Sequence, residues 1–368
     1  MQLKQIPRDA LLGPLQAVSG IVERRHTLPI LANVLLEQKN GRLFVTATDL
    51  EMQITAHSEL AGKQDQSVTV GARKLQDLLR ALPEDAPLTV ETSSGKMTVR
   101  AARSRFNLQT LPAADYPRMG LAQEQKQQTI NLPQKQFRGL LKLAEFAMAQ
   151  QDIRYYLNGM LLVVDKGSLQ AVATDGHRLS YASISVPGDY PRHEVILPRK
   201  TVLELGKLLE DSDAMVAIDI LANQVRFRFS NIELTSKVVD GKFPDYNRVI
   251  PTGHSKRLEL SRGELLQALQ RAAILSNEKF RGVRLVLGPD QLKIICTNSE
   301  QEEAEEELEV EYKGDALDIG FNITYMLDVL QNMAMERVRI AFGDANSSAL
   351  VTVPDREDYK YVVMPMRI

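Results

Sequence analysis

Leu43-Phe44-Val45-Thr46-Ala47-Thr48-Asp49 reads as a strand ending in a Thr-Asp pair, and it returns twice. The second copy is Leu169-Gln170-Ala171-Val172-Ala173-Thr174-Asp175. The third is Leu292-Lys293-Ile294-Ile295-Cys296-Thr297-Asn298. A spacing of roughly 125 residues in a chain of 368 means three copies of one unit laid end to end, and a repeat decides architecture before any other signal.

The surroundings of each copy match as well. In the first unit Leu11, Leu15, Val18 and Val22 share one helical face, with Pro14 predicting a start or a kink. Strands are expected over 30–37 and 43–48 about an Asn40-Gly41 hairpin turn. A second helix through Leu75, Leu78, Leu79 and Leu82 stops at Pro83. A hairpin over 88–91 and 97–101 turns at Ser94-Gly95, and a last strand from Phe106 leads to Asp115-Tyr116-Pro117.

The second unit repeats this order. Its helices run through Phe137, Leu141, Ala144, Met148 and through Val202, Leu205, Leu208, Leu209. Val225, Phe227 and Phe229 alternate with Arg226 and Arg228, a half-buried strand by its period of two. In the third unit Ser261 and Glu264 form a capping box, Asn322 caps a helix through Ile323, Met326, Leu327 and Leu330, and Val338, Ile340 and Phe342 alternate with Arg337 and Arg339. The expected fold class is α+β: three tandem helix–strands–helix–strands units over 1–122, 129–252 and 256–368. The Gln-rich 120–128 and the stretch 251–255 read as linkers.

The chain is 44% hydrophobic and 25% charged, as soluble globular proteins are, with a net charge of −2. That excludes a generally basic surface, so a polyanionic partner would have to meet a local patch. The lone cysteine, Cys296, has no disulfide partner and fits a reducing compartment. Residues 1–10 contain no signal-peptide pattern, and no apolar run approaches the roughly 18 residues of a membrane helix. A cytoplasmic protein with no membrane partner is expected.

Charge is unevenly spread. Glu300, Glu302, Glu303, Glu305, Glu306, Glu307, Glu309 and Glu311 crowd the third unit, and Arg100, Arg103 and Arg105 surround the strand that leads into Phe106 in the first. The plain reading is a solvated acidic face. The alternative is a head-to-tail contact between two chains, which closes into a ring or runs on as a filament. Two chains of three units make a six-unit ring. The predicted interface is Arg103, Arg105, Glu302, Glu303, Glu305 and Glu306, with Ile274 and Leu275 as its apolar part.

Thr174-Asp175-Gly176-His177-Arg178 resembles an acid–base pair, and a small hydrolase or phosphodiesterase using Asp49, Asp175 and His177 is one reading. Against it, the carboxylates sit at equivalent strand ends and the third copy is Asn298. A turn in which Asp or Asn accepts from its own backbone tolerates that change; a catalytic carboxylate does not. No phosphate-cradling glycine loop and no metal-ligand spacing is present, so no enzyme activity and no cofactor are expected. A repeat scaffold that binds only proteins stays open.

Several long runs are similar to the bacterial sliding clamps, the beta subunits of DNA polymerase III. They are the stretches 151–160 (Gln-Asp-Ile-Arg-Tyr-Tyr-Leu-Asn-Gly-Met), 173–179, 240–246 (Asp-Gly-Lys-Phe-Pro-Asp-Tyr), 273–282 and the ending 361–367. Gly71, Ile368 and the charged stretch 354–360 depart from the family pattern. The resemblance spans the whole chain. It implies the clamp fold, with helices lining a ring's hole and sheets outside, and a ring-shaped homodimer around duplex and primed DNA that tethers the replicative polymerase. Twelve helices about 10 Å apart line a circumference near 120 Å, hence a hole of roughly 35–40 Å. Tethering is then topological, and a mildly positive inner wall suffices. Candidate wall cations are Arg73, Lys74, Arg80, Lys135, Arg138, Lys142, Arg199, Lys200 and Lys207.

The resemblance further implies nucleic-acid contacts at Arg25, Gln151, Tyr155 and Tyr156. It implies a pocket for partner peptides from Leu157, Thr174, Gly176, His177, Arg178, Leu179, Pro244, Arg248, Val249, Ser348, Val362, Val363, Met364, Pro365, Met366 and Arg367. Implied partners are the polymerase III alpha subunit, the clamp loader delta subunit, repair and translesion polymerases, ligase and mismatch-repair proteins. Each would offer a short motif with a glutamine and a leucine-phenylalanine pair.

Overall fold

The computed structural model describes residues 1–23, 28–60, 65–120 and 128–368. Arg25 and nearly all of the predicted linker 120–128 lie outside the described residues. Among those described, one strand, one helix and three strands follow each other six times. The helices are α1 (Arg8–Val18), α2 (Ala72–Ala81), α3 (Gln134–Glu145), α4 (Arg199–Leu208), α5 (Arg262–Ala272) and α6 (Ile323–Asn332). Each predicted unit is therefore itself two strand–helix–three-strand motifs. Each motif also has a strand that the expected order lacks, a short one that runs straight into the helix, such as Gln66–Gly71 before α2 and Leu317–Asn322 before α6.

Helix ends follow local chemistry. The Ser261 hydroxyl accepts from the Glu264 amide at 3.3 Å, and Asn322 accepts from Thr324 at 2.9 Å, as the caps predict. Helix α1 differs from expectation. It starts at Arg8, after Pro7, and Pro14 is buried inside it; Val22 lies beyond its end. Ile30 also departs from the expected strand: Pro29–Ala32 forms a short 3-10 turn and the strand begins at Asn33. The hairpin turns hold. Asn40 and Gly41 have φ of 51° and 74°, and Ser94 and Gly95 have 49° and 76°, the left-handed pairs that two-residue hairpins need.

The contacts divide the chain into two compact units, Met1–Phe137 with Leu203–Val238, and Arg138–Val202 with Val239–Ile368. The first unit holds one antiparallel sheet of twelve strands. Its order is Gln2–Ile6, Leu88–Ser93, Lys96–Ala101, Ser104–Leu111, Gln66–Gly71, Asn33–Lys39, Arg42–Thr48, Met52–Glu59, Ile232–Lys237, Gln224–Phe229, Met215–Ile220 and Gln128–Pro133. The second unit holds an eight-stranded sheet, His193–Pro198, Gly159–Asp165, Ser168–Thr174, Arg178–Ser185, Tyr359–Val363, Ala349–Thr352, Arg337–Phe342 and Lys256–Ser261. Beside it is a four-stranded sheet, Glu303–Glu309, Gln291–Thr297, Gly282–Gly288 and Leu317–Asn322.

Two rules generate these orders. Within a repeat the two motifs exchange their first strands: Gln2–Ile6 pairs with Leu88–Ser93, and Gln66–Gly71 with Asn33–Lys39. Between repeats, the strand after the Thr-Asp turn pairs with the last strand of the next repeat. Met52–Glu59 takes Ile232–Lys237 in register Ile54↔Leu234, and Arg178–Ser185 takes Tyr359–Val363 in register Leu179↔Val362. The compact units thus cut the second repeat in two, because its two halves join different sheets.

Each sheet buries one face under helices. Leu11, Leu15 and Val18 of α1, Leu75 and Leu79 of α2, and Leu265 and Leu269 of α5 are fully buried. One charge is buried within the first unit's sheet. Asp219 accepts from Thr129 at 2.8 Å and from Arg226 and Arg228, so burial, which raises its pKa, is outweighed and the pKa falls. Buried Cys296 is a packing residue, its thiol pushed up to about 11 by desolvation.

Tyr116 closes the first repeat. Its buried hydroxyl faces the carbonyls of Asn33 and Thr46 at 3.3 and 3.4 Å, and desolvation raises its pKa to about 12. A raised acid contributes stability that is present below its unfolded pKa near 10 and lost as pH rises towards about 12. Two pKa units correspond to about 3 kcal/mol at most. Tyr116→Phe is therefore expected to make stability fall less steeply between pH 10 and 12, measured as urea midpoints. An unchanged slope contradicts this assignment.

Candidate functional site

The Thr-Asp strand ends build the same turn twice, and the third copy builds one that is a residue longer. Asp49 Oδ1 accepts from the amides of Glu51 and Met52 at 3.0 and 2.7 Å, and Asp175 Oδ1 from His177 and Arg178 at 2.9 and 3.1 Å. Asn298 Oδ1 accepts from Glu300 and Glu302 at 2.9 and 3.0 Å. The carbonyl oxygen that Asn shares with Asp is the atom in use, so the third copy keeps a turn held this way without the charge. The threonine before it locks two of the turns. Thr48 and Thr174 donate to the carbonyls of Met52 and Arg178 at 2.8 and 2.6 Å. The carboxylates of Asp49 and Asp175 are thus occupied in holding backbone. Among the described residues no group of three or more His, Cys, Asp or Glu side chains is arranged to hold a metal.

In the second unit this turn joins the last strand of the chain. Arg178 pairs with Val363 and Leu179 with Val362, and the His177 carbonyl accepts from the Met364 amide at 2.9 Å. Leu157, Leu179 and Val362 belong to one buried cluster with Ala149, Leu161, Val172, Ile196, Phe243 and Tyr246. Gly176, His177, Pro244, Arg248, Val249, Met364 and Arg367 are exposed, and Ser348, Pro365 and Met366 are half-buried. An apolar floor with a mobile-chain methionine and a proline at its rim suits a short amphipathic peptide. Leu157, Leu179, Val362 and Val363 are each no more than 2% exposed, so they lie beneath the exposed residues rather than face outward. Arg248 pairs with Asp245 at 3.0 Å. The tail past Met364 is anchored, the Met366 amide donating to the Gly320 carbonyl at 2.9 Å.

Arg178 is the central fastening. Its guanidinium reaches Asp175 at 3.1 Å, Asp328 of α6 at 2.5 Å and the Phe146 carbonyl at 2.7 Å, and it lies 4.4 Å from the ring centroid of Tyr325. A nearly buried guanidinium with this many partners is fixed in place. Asp328, Tyr325 and Phe146 are not among the residues the sequence points to. Asp328 lies 150 residues from Arg178, with no local signal.

Beside the turn runs the loop 150–158. Gln151 is exposed, at a left-handed φ of 57°; Tyr155 is 57% exposed, and Tyr156 is half-buried against the apolar cluster. Of the expected aromatic contacts, Tyr155 has a free face and Tyr156 is partly core. The loop is stapled by Asn158, which accepts from the Asp152 amide at 2.9 Å and donates to its carbonyl at 2.8 Å.

Of the candidate wall cations, Arg73, Lys74, Arg80, Arg138 and Lys142 are exposed. Lys135 and Lys207 are paired to Asp213 and Glu204, and Arg199 is half-buried and donates to the Met148 carbonyl. At the acidic end, Glu303–Glu309 is an edge strand whose residues alternate between exposed and half-buried. Glu305 is bound to Lys293 at 2.8 Å, Glu306 to Arg271 at 2.5 Å, and Glu302 to Asn298 at 2.6 Å. Ile274 is 78% exposed, and Leu275 is half-buried. In the first unit, Arg103 and Arg105 are exposed. There Ser104–Leu111 pairs on one side with Lys96–Ala101; on the other, among the described residues, its strand pairing is to Thr69 and Val70 alone.

Models of the DNA polymerase III beta subunit match the chain in three parts: the N-terminal domain at 1–120, the central domain at 131–245 and the C-terminal domain at 247–367. The beta sliding clamp of Pseudomonas putida is 50% identical over 365 residues and that of Escherichia coli K12 47% over 364, each alignment covering 99% of both chains. The crystal structure of the DNA polymerase III subunit beta from Pseudomonas aeruginosa superposes with a TM-score of 0.95 at 48% identity, over the whole of both chains. The chain therefore belongs to the DNA polymerase III beta subunit family, the sliding clamps: ring-forming homodimers on duplex DNA that serve replication as a processivity subunit and not as a catalyst.

Proposed function

We propose that the dimer closes head to tail by joining two open strand edges, Ser104–Leu111 of one copy and Glu303–Glu309 of the other. The observation that carries this is the repeat's own pairing rule. Met52–Glu59 and Arg178–Ser185 each pair with the last strand of the following repeat. Glu303–Glu309 is the corresponding strand of the third repeat and Ser104–Leu111 the last strand of the first, and among the described residues each has an edge with no such mate. An open edge is a template for pairing. Ile274 and Leu275 supply apolar contact. Arg103 and Arg105 face Glu302, Glu303, Glu305 and Glu306 and set orientation; because Glu305 and Glu306 already hold cations of their own chain, charge selects the partner more than it adds affinity. The domains in this reading run over 1–122, 129–252 and 256–368, beside family matches at 1–120, 131–245 and 247–367.

In this reading Gln151, Tyr155, Tyr156 and Arg25 touch primed DNA. The pocket about Leu179, Val362 and Met364 takes the motifs of the polymerase alpha subunit, the clamp loader delta subunit, repair and translesion polymerases, ligase and mismatch-repair proteins. The protein acts in the cytoplasm.

Three measurements test this. Ile274→Asp with Leu275→Asp is expected to shift the solution mass from dimer to monomer, and a dimer that persists unchanged removes the proposed interface. Met364→Glu should weaken a glutamine and leucine-phenylalanine peptide at least roughly tenfold by fluorescence anisotropy, with the dimer intact, because a charge is placed on an apolar rim; undiminished binding moves the pocket elsewhere. Gln151→Ala with Tyr155→Ala should slow loading onto primed circular DNA without changing the dimer, and an unaltered loading rate counts against the loop as a DNA contact.

A further inference from the structure

The three copies of the turn differ at one informative place. In the first repeat Leu50 follows Asp49 with φ of 74°; in the second, Gly176 follows Asp175 with φ of 90°. A left-handed backbone is strained for leucine, yet the first repeat accepts it, so conformation alone does not demand glycine at 176. What the second copy adds is a neighbour: a Cβ on Gly176 would lie 2.8 Å from Nη2 and 3.0 Å from Nη1 of Arg154, so a side chain there would have to displace the end of that arginine.

Arg154 is held there by a built arrangement. Its Nε and Nη2 donate to the two oxygens of Asp152 at 3.0 and 2.9 Å, a bidentate grip, and its amide donates to the same carboxylate at 2.8 Å. Arg154 keeps Asp152 at a pKa of about 2, so the pair is charged throughout the neutral range. Asp152 in turn is stapled by Asn158. From this anchor Arg154 Nη2 reaches the carbonyl of Asp175 at 3.3 Å and covers Gly176. The next carbonyl, that of His177, receives the Met364 amide.

We infer that Arg154 is a positioning residue for the peptide pocket: it braces the turn at 175–177 from outside, so that the edge formed by His177 and Met364 is set before a peptide arrives. This rests on reading that region as the pocket. A preformed edge spares the peptide the ordering of the turn, and losing it is expected to cost roughly three- to tenfold in affinity.

The test uses the full-length dimer and a fluorescent peptide carrying a glutamine and a leucine-phenylalanine pair. Binding by the unaltered protein tests the pocket reading; the variants test the brace. Arg154→Ala is expected to weaken the peptide by that factor and Asp152→Asn by less, with the double variant no weaker than Arg154→Ala alone. Arg154→Lys, which keeps the charge but cannot grip Asp152 with two nitrogens, should fall between. Amide hydrogen exchange distinguishes positioning from general destabilisation. It should quicken at 176–178 and 364 in Arg154→Ala, return to normal with bound peptide, and stay unchanged in Gly159–Asp165. Affinity within twofold of the unaltered protein, additive effects of the two substitutions, or unchanged exchange at the turn overturns the inference.

Discussion

Backbone hydrogen bonding at strand edges is the constraint on which the architecture depends. Every strand has two edges, and an unmatched buried amide costs more than a matched one contributes. The protein meets this by sharing. Motifs within a repeat exchange their first strands, and the strand after each Thr-Asp turn takes the last strand of the next repeat. Sharing explains why three sequence repeats appear as two compact units: the middle repeat gives half its strands to each. It also explains why the terminal repeats need no caps. Linear repeat arrays shield their ends with atypical units, whereas here the end repeats keep open strand edges, which the proposed head-to-tail contact would pair.

The turns show how one local device becomes specialised. All three use a side-chain oxygen to hold two backbone amides, which makes a carboxylate replaceable by an amide at Asn298. Only the second copy places an arginine after it that reaches three separate pieces of chain. Arg178 gathers its own turn, the carbonyl that follows α3 and the carboxylate of α6. Removing any one of these acceptors would leave a nearly buried guanidinium short of a partner, so the cluster stands or falls together. The backbone beside it is tied to the last strand, and the Met364 side chain stands 47% exposed next to it.

Electrostatics here are local. A net charge of −2 is no obstacle to a protein that encloses DNA instead of gripping it, since exposed cations act within about a Debye length of roughly 8–10 Å. The acid-rich edge strand is less negative to a neighbour than its glutamates suggest, because Lys293 and Arg271 already sit against three of them. What remains of its exposed side is a polar row over half-buried Ala304 and Leu308, the alternation of an edge strand.

Much was legible from one sequence. The Thr-Asp repeat settled the number of units, period-two alternation found strands such as Gln224–Phe229, and Ser261 and Asn322 marked helix starts, because these are local effects of side chains on their own backbone. Resemblance carried the family, and the Asn298 substitution by itself argued against catalysis. Other features depended on residues far apart in the chain. The strands abutting each helix carry too short a pattern to read. The strand exchange, the Arg178–Asp328 pair, the half-burial of Tyr156 and the contact of Arg154 with Gly176 each join segments that only folding brings within a few ångströms. Sequence determines which segments form, since propensity and periodicity act over a few residues; tertiary structure decides which edges and charges meet, since that follows from packing across distances no local pattern records.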